Sequence, residues 1–326
     1  MPHLTVTWES WPLATIFAIS RGSKTSAELV VATIGEEGVT GRGECVPYAR
    51  YGESVEGVVD TLRTLAPDIA AGMDREALQR ALPAGAARNA LDCALWDFEA
   101  KKTGTPVWKL AGLPEPGPVT TAFTLGLDSP DAMGRAARAE SHRPLIKMKL
   151  AGEGDLERVA AVREAAPNSR LIVDANEGWD TDMVEPFGAA LAGLGVEVIE
   201  QPLPAGADGL LADLPHAVPF YADESCHDRA SLESIAGKYD GVNIKLDKAG
   251  GLTEALALKR EAEAAGLGIM VGCMVATSLA MAPGVLVAQD AAIVDLDGPL
   301  LLARDRDHGL VFADSELFPP CVAFWG

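Results

Sequence analysis

From residue 119 onward the chain repeats one hydropathy unit. A short apolar or β-branched run is followed by a stretch with helical spacing. Eight such runs occur: VTTAFTLGL, PLIKMKL, RLIVDAN, VEVIEQP, VPFYADES, GVNIKL, LGIMVGC and AAIVDLDG. They predict eight strands, and helical patterns separate the first seven. After the eighth comes LLARDRDHGLVFADSELFPPCVAFWG, which reads as turns and a short extended tail, so an eighth helix is missing. Strands alternating with helices specify a parallel sheet, and eight of them close into a barrel. The predicted fold is α/β, a (β/α)7β TIM-like barrel. Residues 1 to 113 do not share this unit. WPLATIFAIS and SAELVVATIGEEGVTGRGECVPY alternate in β fashion, with GEEG as a hairpin turn. Two helices are expected next, the second being AARNALDCALWDFEAKKTG, with Ala90, Ala94, Leu95 and Phe98 at helical spacing and Gly104 at its end. The predicted domains are an α+β capping domain over 1–113, joined by the C-terminal tail 305–326, and a barrel over 114–304. The Pro/Gly-rich LPEPGP links them.

Length and composition fit this picture. A chain of 326 residues with 48% hydrophobic content can bury a large core and exceeds one typical domain. A net charge of −20 argues against nucleic acid or an anionic membrane as partner. Cys45, Cys93, Cys226, Cys273 and Cys321 are odd in number and scattered, matching neither a disulfide framework nor a zinc cluster. A reducing cytoplasm is therefore the expected location. The start MPHLTVTWESWPL has neither a basic nor an apolar leader region, so no signal peptide is expected. Residues 264–289 lack charge, but Gly266, Gly268, Gly272, Pro283 and Gly284 interrupt them, so a buried strand and helix are expected rather than a membrane span. The sequence is compatible with a homo-oligomer and does not set its size.

The chemistry follows the same period. Thr124, Lys149, Asp174, Glu200, Asp223, Lys248, Val271 and Asp295 lie 23 to 26 residues apart, most of them at or just past a strand end. A barrel gathers strand ends on one face. Asp174, Glu200 and Asp223 end three successive strands, a set suited to Mg²⁺ with positions left for substrate and water. One such acid would read as a solvated loop residue; three on consecutive strands outweigh that reading. Asn176 and Gln201 are placed to orient the carboxylates. Lys147 and Lys149, two apart, share one face of the second strand. Lys248 ends the sixth strand, across the barrel from Lys149. Lys245 is either a site neighbour or an outer structural lysine. A lysine with an ordinary pKa of about 10.4 becomes a base when nearby positive charge lowers it. Two opposed bases and a cation suit proton abstraction beside a carboxylate, with return of a proton to the other face. Asp295 and Asp297, in DLDG, face the same way. They form either an anionic clamp for an ammonium group or a further ligand set or solvated turn.

The series KMK, VDAN, IEQP, ADES and KLDKAGG resembles the enolase superfamily, in its muconate-lactonizing-enzyme-like subgroup. The resemblance spans nearly the whole chain. It implies the capped (β/α)7β barrel, Mg²⁺ on Asp174, Glu200 and Asp223, Lys149 and Lys248 as the acid/base pair, and Lys147 against the substrate carboxylate. DLDG resembles the element with which dipeptide epimerases bind the dipeptide ammonium, so Asp295 and Asp297 are implied in that role. Thr124 matches a substrate-contacting threonine at the end of the first strand. Arg21, in ISRGSKTSAELVV, matches an arginine of the cap that pairs with a glutamate side chain. The implied partner is a small dipeptide, and the implied reaction converts L-Ala-D-Glu from cell-wall peptide to L-Ala-L-Glu by two-base 1,1-proton transfer through an enediolate. In VGCMVATSL relatives often carry an acid where Ala276 stands. The competing expectations are a muconate cycloisomerase or o-succinylbenzoate synthase, whose substrates leave Asp295 and Asp297 unexplained, and a non-catalytic ligand-binding barrel.

Overall fold

A computed structural model describes residues 1–326. The chain opens with strands β1 (His3–Ile19), β2 (Gly22–Glu36) and β3 (Val39–Cys45), an antiparallel sheet in the order β1-β2-β3. The GEEG turn places Glu37 and Gly38 at φ 51° and 86°, the positive values a two-residue hairpin needs. β1 begins well before the WPLATIFAIS alternation, because HLTVTWES also pairs with β2.

The first of the two expected helices is three: Val55–Thr64, Ala66–Ala70 and Arg75–Ala81. Pro67 has no N–H to continue the first, and Asp74 starts the third by accepting from the Ala77 N–H at 2.7 Å. The long helix Ala86–Thr103 lies on the sheet with Ala90, Ala94 and Phe98 toward β3. Gly41 and Gly43 make that approach possible, since a Cβ on Gly43 would sit 2.1 Å from the Ala90 carbonyl oxygen. Gly43→Ala should therefore push the helix off the sheet and cost about 1–3 kcal/mol. A chemical denaturation midpoint equal to that of the parent would contradict this packing.

The first predicted run splits in two. β4 (Val119–Thr120) pairs elsewhere, and β5 (Phe123–Leu125) starts the barrel. The chain changes sheets at Thr121, whose N–H donates to Ser315 O. The barrel continues as β6 (Leu145–Lys149), β7 (Arg170–Asp174), β8 (Val196–Glu200), β9 (Phe220–Ala222), β10 (Gly241–Ile244), β11 (Gly268–Gly272) and β12 (Ile293–Asp295). These eight strands pair in sequential order, each parallel to its neighbours. Ala122 N–H donates to Val294 O at 2.8 Å and closes the ring. β13 (Phe312–Ala313) and β14 (Glu316–Leu317) pair with β4 in a small antiparallel ribbon.

Helices Pro130–Ala139, Asp155–Ala165, Thr181–Gly193, Leu252–Ala264 and Ser278–Val287 cover five connections. Two connections depart from the predicted helical pattern. β8 to β9 has only a 3₁₀ turn, Gly209–Asp213, and β9 to β10 has little more than one helical turn around Leu232–Ile235. Pro202, Pro204, Pro215 and Pro219 deprive the first of these of donors, and Gly206 and Gly209 loosen it further. No helix follows β12 beyond the 3₁₀ turn Gly298–Leu301. The charge-free stretch is β11 and the buried helix Ser278–Val287, and no helix is long and apolar enough to cross a membrane. The tail ends on the first domain. There Trp325 Nε1 donates to Arg42 O, Gly326 N to Asp97 Oδ1, and Val107 N to Gly326 O.

Strand alternation sorts the barrel interior into layers. Ala122, Leu145, Ile172, Val198, Tyr221, Met270 and Ile293 fill an apolar layer. Two residues further along, the inward positions are Thr124, Lys147, Asp174, Glu200, Asp223, Asn243, Gly272 and Asp295. A plug of hydrocarbon thus supports a ring of polar groups at the carboxyl ends of the strands.

Candidate active site

Asp174, Glu200 and Asp223 are fully buried, and one oxygen from each lies within 4.8 Å of the others. Four ammonium groups surround them. Lys147 Nζ stands 2.6 Å from Glu200 Oε2, 2.6 Å from Asp295 Oδ2 and 3.4 Å from Asp174 Oδ2. Lys149 Nζ is 2.6 Å from Asp174 Oδ2. Lys245 and Lys248 Nζ lie 2.6 Å from Asp223 Oδ2 and Oδ1. Burial opposes ionisation of Asp174, but Lys149 and Lys147 outweigh it and hold the carboxyl at about 2. Burial likewise opposes ionisation of Asp223, yet Lys245 and Lys248 hold it well below the usual range. Glu200 goes the other way: burial, with Asp174 and Asp223 beside it, pushes it up to about 8 despite Lys147. Its Oε2 is close to Lys147 but lacks hydrogen-bond alignment, so that contact is an ion pair only. Three buried, converging carboxylates with no other ligand type fit a hard cation such as Mg²⁺.

Around this set the structure corrects the expected roles of Asn176 and Gln201. The Asn176 main-chain N–H, not its amide, donates to Asp174 Oδ1 at 2.9 Å. Gln201 does not touch a carboxylate. Its Oε1 accepts from the N–H groups of Asp223 and Ser225, and its Nε2 donates to Leu203 O, Ser225 Oγ and Tyr239 OH. It fixes the main chain that carries Asp223. The side chain that orients a carboxylate is Asn243, whose Nδ2 donates to Glu200 Oε1 at 2.6 Å. Its only sequence signal is inward parity in GVNIKL. Gly272, opposite it, leaves room: a Cβ there would sit 2.6 Å from Asn243 Oδ1.

The period assigned Lys248 and Val271 to the cup, and neither faces it. β10 ends at Ile244 and the chain turns at once into the helix Leu246–Ala249. Lys248 lies in that turn, wholly buried behind Asp223, with Nζ donating to Asp223 O at 2.5 Å and Asn243 O at 3.0 Å. Lys245 keeps the inward parity of Asn243 and lines the cavity. β6 and β10 are four strands apart in an eight-stranded ring, so Lys149 and Lys245 are the lysines that oppose each other. Lys245 is thereby a site residue. Burial works against its charge, but Asp223 and Glu200 outweigh that and raise its pKa well above the ordinary value.

A cavity of about 980 Å³ lies between the barrel mouth and the first domain. Thr124, Lys149, Lys245, Asp295 and Asp297 line its barrel side, and Arg21 and Tyr48 its other side. Lys147 does not line it and is 1% exposed. Its ammonium is held by the carboxylates of Asp174, Glu200 and Asp295. Asp297 Oδ2 accepts from Thr124 N–H at 2.6 Å, and Asp295 Oδ1 from Thr124 Oγ1 at 3.3 Å. Burial and the neighbouring Asp295 push the Asp297 carboxyl up to about 7. Lys147 already pairs with Asp295, so Asp297 is the carboxylate of the two without an ion-pair partner. Arg21, on the β1–β2 turn, donates to Asn176 O at 2.8 Å and to Glu224 Oε1 at 2.7 Å. Local sequence gives no signal for Glu224, because its partner lies 203 residues away. Ala276 is buried, and the cavity side of its loop is Cys273, Met274 and Val275.

The first domain matches the family model "Mandelate racemase / muconate lactonizing enzyme, N-terminal domain" over residues 1–112, and the barrel matches "Enolase C-terminal domain-like" over 132–312. The chain is 46% identical to the L-Ala-D/L-Glu epimerase of Escherichia coli K12, over 95% of this chain and 97% of that one. It is 44% identical to an N-acetyl-D-glutamate racemase of Pseudoalteromonas, over 91% and 95%. Among solved structures it superposes with TM-score 0.98 and 50% identity, over the whole of both chains, on an enolase family member from Agrobacterium tumefaciens. That protein has homology to dipeptide epimerases and was crystallised with sodium and L-Ala-L-Glu.

Proposed function

The chain belongs to the enolase superfamily, and from that premise we propose that it is a Mg²⁺-dependent dipeptide epimerase that interconverts L-Ala-D-Glu and L-Ala-L-Glu. The observation that carries the reading is the opposition of Lys149 and Lys245 across a cavity walled by Asp295 and Asp297 and lined by Asp223, the outermost of three converging buried carboxylates. Asp174, Glu200 and Asp223 hold the cation, which when bound lowers the cost of the charge that develops on the substrate carboxylate. Asp295 and Asp297 hold the dipeptide ammonium, with Thr124 fixing both acids. Arg21 takes the glutamate side-chain carboxylate. This orientation puts the α-carbon of the second residue between the two lysines. One removes its proton. The other, standing protonated, gives a proton to the opposite face, and the configuration inverts. Lys147 offsets the negative charge beneath. Lys248 braces Asp223 and is not assigned an acid/base role. Free cysteines and a net charge of −20 suit a cytoplasmic enzyme acting on peptides released from cell wall.

The racemase relative raises a second reading, N-acetylglutamate as substrate. It lacks an ammonium, as do the substrates of the cycloisomerase and synthase alternatives. Asp295 and Asp297 favour the dipeptide. A substrate panel decides between them: kcat/KM for L-Ala-D-Glu should exceed that for N-acetyl-D-glutamate by at least 100-fold. The reverse order would replace the reading. Losing one partner of a desolvated charge contact typically costs about 2–5 kcal/mol. Asp297→Asn should therefore raise KM steeply for every dipeptide, because all carry the ammonium. Arg21→Met should penalise Ala-Glu and leave Ala-Met nearly unchanged. Equal losses across the panel for Arg21→Met would make that arginine structural.

A further inference from the structure

Arg21 already has two carboxylate partners, and they differ in how far each depends on it. Glu177 is the longer contact, its Oε2 accepting from Arg21 Nη1 at 3.2 Å. Arg50, however, engages both Glu177 oxygens at 2.8 Å, and the Ala205 N–H adds a third bond. Glu177 is thus neutralised by Arg50. The shorter ion pair of Arg21 is with Glu224, whose Oε1 accepts from Nη2 at 2.7 Å. Tyr48 OH, 3.3 Å from Nη2, and Asn176 O complete the contacts. Glu224 lines the cavity, its side chain is 2% exposed, and its Oε2 is buried with no hydrogen-bond partner. A buried carboxylate oxygen without a donor is costly, and a donor arriving from the cavity would relieve it.

We propose that Glu224 is a specificity-determining residue: an internal carboxylate that occupies Arg21 until an acidic side chain of the substrate competes for it, and that selects for basic side chains once Arg21 is removed. The inference rests on the dipeptide reading above. An aspartate or glutamate side chain offers Arg21 the same charge and acceptors as Glu224, so it competes for the guanidinium. A neutral side chain leaves the pair intact and gains nothing from it. A lysine or arginine side chain meets Arg21 as a like charge and is excluded. With Arg21 gone, Glu224 faces the cavity as an unpaired carboxylate, and the preference should invert. The determinant of side-chain charge is therefore the pair, not the arginine alone.

Calorimetric binding of L-Ala-L-Lys and L-Ala-L-Met to the Mg²⁺-loaded protein tests this, with kcat/KM for the same two dipeptides measured in parallel. The ratio between two ligands in one variant cancels any general disturbance from altering a neighbour of Asp223. Arg21→Met should raise the Lys/Met affinity ratio at least tenfold over the parent, and Arg21→Met combined with Glu224→Gln should remove that gain. An unchanged ratio in Arg21→Met, or a gain that survives Glu224→Gln, would overturn the proposal. Should the parent show no turnover of any dipeptide, the epimerase reading fails, while the binding ratios still decide the role of Glu224.

Discussion

Replacement of Lys149 or Lys245 by alanine should each abolish epimerisation, with kcat falling about 10²–10⁴-fold or more. Each variant keeps one lysine and therefore one face of the α-carbon. In deuterated water one single-lysine variant should still exchange the α-proton of one epimer, and the other variant that of the opposite epimer. Lys248→Met should behave differently. It breaks a buried ion pair, which typically costs about 3–5 kcal/mol of stability. Asp223 keeps Lys245 as partner, however, and both faces of the substrate remain served. Exchange on both epimers should survive in Lys248→Met even if its melting temperature drops. Loss of exchange on one face in Lys248→Met, with Lys245→Ala unaffected, would return the acid/base role to Lys248.

Removal of divalent cation should be as damaging. Three buried carboxylates converge within 4.8 Å, and burial with two like charges beside it already pushes Glu200 up to about 8. Chelation should abolish activity, and Mg²⁺ should restore it. A second readout does not depend on turnover. A ligand that binds only the folded protein at 100 times its Kd stabilises by about 2.7 kcal/mol, so saturating Mg²⁺ should raise the melting temperature of the parent by several degrees. Asp223→Ala should lose that increment. A parent that melts at one temperature with and without Mg²⁺ would argue that these acids serve the fold alone.

The acids were legible in the sequence because each closes an apolar strand, so period and parity agree on them. The lysine of the sixth strand was not. Lys245 and Lys248 differ by three, so only one can keep the inward parity of an extended strand. Which one does depends on where β10 stops, and Ile244–Lys245–Leu246 carries no breaker to mark it. The two short connections after β8 and β9 look helical in sequence because LLADLP and SLESIA hold a turn of helical spacing, although the prolines around the first forbid a longer one. The splitting of β4 from β5 was hidden for a different reason: VTTAFTLGL is strand-like throughout, and only the distant tail decides that its first two residues pair with β14. Glu224 and Asn243 stayed unread because their partners, Arg21 and Glu200, come from other elements of the chain.

Two-base inversion at the α-carbon of the second residue is read out by incubating L-Ala-D-Glu with the Mg²⁺-loaded protein in deuterated water and following it by proton NMR. L-Ala-L-Glu should form, with deuterium at the glutamate α-carbon and none at the alanine α-carbon. Recovery of L-Ala-D-Glu with its α-proton intact, under conditions where Mg²⁺ binding is demonstrated, would contradict two-base inversion.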